Sequence, residues 1–98
     1  MSPERTDAYR EVLRMLAELG PSKLQSDEED RIRYAADSLI LCDDLSADRG
    51  AREGLLDTQL LFDGLVDSGR WERVTADRLA EELRKCGPDG DTVALQAA

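Results

Sequence analysis

The residues able to do chemistry are few and widely spaced. Ser38 lies between Asp37 and Leu39, thiols stand at Cys42 and Cys86, and carboxylates adjoin at Asp43-Asp44 and recur at Asp89-Gly90-Asp91. A serine or thiol nucleophile needs a base and a group to orient it. The chain has no histidine, so the usual base is missing. A carboxylate pair can act as acid and base, and Asp43-Asp44 is the obvious pair, but adjacent acids near a helix end read as solvated surface. Phosphate binding through a glycine-rich loop needs a lysine after the second glycine of its motif, and Gly50 and Gly54 lack one. Two distant cysteines without histidine give no zinc spacing. Asp89-Gly90-Asp91 begins like a calcium loop, yet the fifth position is Val93 and no acid stands at the twelfth. These observations predict no catalytic residue, no metal and no cofactor.

Asp37-Ser38-Leu39 resembles the attachment serine of acyl carrier proteins, a family that is also small, acidic and helical. The resemblance implies a phosphopantetheine arm on Ser38. In that family the serine opens a helix after a loop, and a long recognition helix follows. Here Ser38 falls deep in a helix that already starts near Ser26, and Ile40-Leu41-Cys42-Asp43-Asp44 follows. The residues themselves read as a polar position on an ordinary helix.

Four helices follow from periodicity and punctuation. The first runs from Pro3 to Leu19, capped by Ser2, striped by Tyr9, Val12, Leu13, Leu16 and Leu19, and stopped by Gly20-Pro21. The second starts after Ser26, whose capping-box partner is Glu29. Its apolar face is Ile32, Ala35, Ala36, Leu39 and Cys42, and it ends near Asp43-Asp44. The third runs from near Ser46 to Asp67. Gly50 and Gly54 weaken it by about 1 kcal/mol each relative to Ala, and they mark either a close helix approach or a frayed first turn. The fourth starts after Thr75 with Val74 and Leu79 as a hydrophobic staple, and Ala76, Leu79, Ala80, Leu83 and Cys86 line it until Gly87-Pro88. The expected fold is all-α: a compact four-helix bundle-like domain over residues 1–87 with short loops, then a flexible tail over 88–98.

A chain of 98 residues is one domain by length. Thirteen Lys and Arg against twenty-two Asp and Glu give a net charge of −9. Without clustered cations the chain repels phosphates, so nucleic acid is not an expected partner. No apolar run reaches the roughly 18 residues of a membrane helix, and Met1-Ser2-Pro3-Glu4-Arg5 lacks the apolar core of a signal peptide. The expected location is the cytoplasm, where both cysteines stay reduced. They read as buried structural thiols.

Helical wheels expose a mismatch. The first and fourth helices each have one apolar side. The third has a broad apolar arc of Leu55, Leu61, Phe62, Leu65 and Val66, yet Leu56 and Leu60 point the other way. On the second, Tyr34 and Leu41 sit one heptad apart, opposite Ile32 and Leu39. Either both middle helices are covered on two sides within the monomer, or the second apolar pairs meet another chain. The second alternative predicts a non-catalytic interaction module, pairing with a protein partner or with itself as a homodimer. Its surface would be Tyr34, Leu41, Leu56 and Leu60, with Asp63 and Asp67 as polar rim. Trp71, between Arg70 and Arg73, either closes the end of the core or joins that surface as an anchor. An acidic inhibitor or immunity-type protein masking a basic site is the alternative function, and a carrier modified on Ser38 is a further one.

Overall fold

A computed structural model describes residues 3–88, and these form four helices. Helix α1 spans Pro3–Lys23, α2 Ser26–Ile40, α3 Arg49–Asp67 and α4 Arg73–Cys86. Among the described residues there is no strand. The all-α expectation holds. The tail from residue 89 onward, with Asp89-Gly90-Asp91, and the Ser2 cap lie outside the described residues.

Helix α1 packs chiefly on α4 and α2 on α3, and these two pairs stack as two layers. The core between them collects Val12, Leu16, Ile32, Leu39, Phe62, Leu65, Leu79 and Leu83. Gly54 lets the α2–α3 pair close: a Cβ there would stand 3.3 Å from the Ala35 backbone. Of the two readings of that glycine pair, Gly54 makes the close approach while Gly50 lies exposed in the first turn.

The helix termini correct the sequence reading in five places. Gly20 takes φ 70°, where the expected stop falls, but a further helical turn follows through Lys23 and delivers Leu24 to the core. Helix α2 begins one residue early, because the Gln25 N–H donates to Glu28 Oε1 at 2.9 Å, so Gln25 and Glu28 close the first turn instead of Ser26 and Glu29. It also ends early, at Ile40, so Cys42 is buried in the following link rather than on a helix face. Helix α3 starts after Asp48, whose carboxylate accepts from the Ala51 N–H at 3.0 Å. Ser46 cannot serve as its cap because Asp44 Oδ1 holds it in a turn, accepting from its N–H at 3.1 Å and its hydroxyl at 2.7 Å. Helix α4 starts after Glu72, whose carbonyl accepts from the N–H groups of Thr75 and Ala76. Thr75 is therefore inside the helix, and Val74 stands 60% exposed instead of stapling Leu79.

Two polar clamps hold the ends of the bundle. At one end Arg5 donates to the carbonyls of Leu39 (2.7 Å), Ile40 (3.2 Å), Cys42 (2.6 Å) and Cys86 (2.9 Å). One guanidinium thus meets the carbonyl ends of α2 and α4, where helix dipoles are negative. At the other end Arg70 forms a two-pronged pair with Glu28, at 2.8 and 2.9 Å, and the Trp71 indole N–H donates to the Lys23 carbonyl at 2.8 Å. That clamp ties the α3–α4 link to the α1–α2 link.

Candidate interaction surface

Burial defines an inner and an outer side for each middle helix. Ile32, Ala35, Ala36 and Leu39 of α2 are wholly buried, and Ala51, Leu61, Phe62 and Leu65 of α3 are at most 8% exposed. Tyr34 on α2 is 65% exposed, and Leu56 and Leu60 on α3 are 61% and 64% exposed, while Leu41, expected on α2, lies just past its end and is 77% exposed. Among the described residues nothing covers these four side chains, so the covered-on-both-sides alternative does not account for them. Helices α2 and α3 pack directly on one another.

An ion pair joins the two helices. Arg31 of α2 donates to both Asp57 carboxylate oxygens of α3, at 3.0 and 2.6 Å. Those bonds hold the Asp57 carboxyl below the usual carboxylate range. Beside the seam a shallow groove is lined by Glu28, Arg31, Leu60, Leu61, Gly64 and Arg70 among others. Asp63 is half-buried and accepts from Gln59 and Arg73, both at 3.2 Å, and Asp67 is exposed at the end of α3.

Trp71 does not join this surface. Its ring is 5% exposed and stacks on Phe62, with ring centres 5.4 Å apart and planes at 28°. Its N–H is occupied by Lys23. Of its two readings, closing the core is the one the packing gives, because the stack and the Arg70–Glu28 pair turn the link inward.

The chemical candidates come to rest apart from one another. Ser38 is the thirteenth of the fifteen residues of α2, half-buried, with no loop before it. Among the described residues its hydroxyl has no side-chain partner. Its neighbour Asp37 accepts from the Tyr9 hydroxyl, a bond that raises the Tyr9 pKa. Cys42 and Cys86 are free and buried, as expected. Burial pushes the Cys86 thiol up to about 12 and, together with Asp48, raises that of Cys42. A thiol so shifted stays protonated and unreactive near neutral pH. Asp44 forms the turn described above, and no group of three His, Cys, Asp or Glu side chains gathers as metal ligands among the described residues.

The surface was visible in the sequence as apolar residues opposite an apolar face. The clamps were not: Arg5 and Arg70 look like any surface arginine until the helix ends they bind are placed. No protein-family model matches the chain, and no curated protein or solved structure matches it. No described helix is long and apolar enough to cross a membrane.

Proposed function

We propose that this chain is a non-catalytic protein-interaction module that docks through the outer face of α2 and α3. The observation that carries the reading is the exposure of Tyr34, Leu41, Leu56 and Leu60, each above 60%, on two helices that pack together and at the end of one of them. Apolar side chains scattered singly need no explanation, but a group rimmed by polar residues marks an interaction site. Large apolar anchors with a charged rim are the usual composition of an interface centre. Two kinds of occupant fit such a face: a second copy, forming the homodimer expected from sequence, or a different protein, as in the inhibitor reading.

The test is native mass spectrometry of the untagged protein purified from its own host, beside a Leu56→Asp/Leu60→Asp variant. The wild type is expected to carry a second chain, its own or another, and the variant to lose it while keeping its helical circular dichroism. A complex that survives both aspartates would remove this face from consideration. A mass increment on Ser38, lost in Ser38→Ala, would replace the proposal with the carrier reading.

A further inference from the structure

The charge of the chain is not spread evenly over its two layers. Residues 26–67, from the start of α2 to the end of α3, hold twelve acids and four arginines, a net of −8 out of the total −9. Residues 1–25 balance four acids against four bases, and residues 68–98 set six against five. The layer that exposes the apolar side chains is therefore the layer that carries the negative charge.

The arginines of that layer are already engaged. Arg31 holds Asp57, Arg33 pairs with Glu29, Arg49 with Glu53, and Arg52 donates to the carbonyls of Leu45 and Ser46. Of the carboxylates around the apolar residues, Asp37, Asp44 and Glu53 are engaged by Tyr9, Ser46 and Arg49, and Asp30, Asp43 and Asp67 are freer. Asp30 and Asp37 lie within one turn of Tyr34, Asp43 and Asp44 follow Leu41, Glu53 lies one turn before Leu56, and Asp67 closes the helix beyond Leu60. Among the described residues the side chains of Asp30, Asp43 and Asp67 have no ion pair or hydrogen bond, and all three are exposed.

Like charge opposes self-pairing through this face, since a two-fold axis would bring one −8 layer against another. An opposite charge on the partner turns the same field into attraction and steering. We infer that the α2–α3 face binds a cationic amphipathic segment of another protein, apolar on the side that meets Tyr34, Leu41, Leu56 and Leu60 and lined with Lys or Arg beside it. This inference rests on the docking role of that face proposed above and names the chemistry of its occupant.

The probe is a fluorescein-labelled peptide helix with leucines on one side and lysines on the other. Its controls are a scramble of equal charge without the leucine stripe and a glutamate version that keeps the stripe. Anisotropy titrations of the full chain are run at about 50 mM and about 500 mM NaCl, where screening differs strongly. The Lys/Leu peptide is expected to bind best, and to weaken about tenfold or more at high salt. Leu56→Gln/Leu60→Gln and, separately, Asp30→Asn/Asp67→Asn should each weaken it, while Val74→Gln on the opposite layer should not. Sedimentation of the chain alone should show a monomer at low salt.

Equal binding of the lysine and glutamate peptides would overturn the charge inference and leave the docking role standing. So would a dimer that breaks with Leu56→Gln/Leu60→Gln and strengthens with salt, because the occupant would then be a second copy. Binding of the scramble as tightly as the striped peptide, unaffected by the leucine substitutions, would overturn the inference and the docking role together.

Discussion

Phe62 and Leu60 stand two positions apart on α3, one 1% exposed against Trp71 and the other 64% exposed on the outer face. Their side chains have the same preference for leaving water, and the fold satisfies that preference only for Phe62. The inner side of α3 holds the bundle together through Leu61, Phe62 and Leu65 packed against neighbouring helices. The outer side gains little transfer energy from folding, because the described monomer leaves most of Leu56 and Leu60 in water. Large apolar residues on both sides of one helix thus separate into a buried set that holds the fold and an exposed set that the described monomer does not use.

The contrast is sharpest for Phe62→Ala. Removing a buried, stacked ring should destabilise the fold by about 3–5 kcal/mol, a large part of the roughly 5–15 kcal/mol of a small domain. A urea titration would reveal it, and a loss under about 1 kcal/mol would mean that the inner side is not the core. Next comes Arg5→Ala, which removes the clamp on the carbonyl ends of α2 and α4. Hydrogen bonds from a charged donor support a loss of about 2 kcal/mol. Arg5→Lys should recover only part of it, since an ammonium cannot reach four carbonyls in the geometry of a planar fork. An unchanged urea midpoint in Arg5→Ala would show that water replaces the guanidinium without loss.

That Phe62 belongs inside was legible from spacing, as was most of the core. The apolar arcs predicted for α2, α3 and α4 face the core, with Leu55, Val66 and Ala80 only partly buried at their edges, because a 3.6-residue period leaves little freedom over more than three turns. On α1 the reading was less complete. Its stripe was centred on Val12 and Leu16, which are buried, but Met15 and Ala8 are also in the core while Leu13 is only half-buried. Helix starts were legible to within a few residues. Each error has a local competitor: Glu28 closes on Gln25, Asp44 captures Ser46, and Glu72 closes the turn assigned to Thr75. The clamps could not be read, because they join positions such as Arg5 and Cys86 that only tertiary packing brings together. The outer face was legible as a surplus of apolar residues, and its exposure had to await the packing of α1 and α4.

A smaller effect than Arg5→Ala is expected on the alkaline side, and it separates the buried thiols from the outer face. The Cys86 thiol titrates near 9.0 when unfolded and is pushed up to about 12 by burial in the fold. Between those values the unfolded chain releases a proton that the folded chain keeps. Stability from this group is therefore fully present below the lower value and is lost as pH rises toward the upper one. Tyr9 and Cys42, also raised, act in the same direction. Urea midpoints should fall from about pH 8 to about pH 10, and Cys86→Ala should make that fall shallower. A variant whose slope matches wild type would exclude Cys86 as a contributor.

The smallest effect on stability belongs to Leu56→Gln/Leu60→Gln, and that smallness is what the comparison requires. Leucine and glutamine have similar helix propensities, and these two side chains already face water in the monomer at 61% and 64% exposure. Little apolar area moves between folded and unfolded states at either position, so the urea midpoint of the isolated chain should stay within about 0.5 kcal/mol of wild type. The measurement belongs at low protein concentration, where a bound second chain cannot add to apparent stability. A loss above about 1 kcal/mol there would place both leucines under cover inside the monomer. With no loss, two leucines that folding leaves in water remain available to a partner, and the same variant can then be titrated for binding without the ambiguity of a damaged fold.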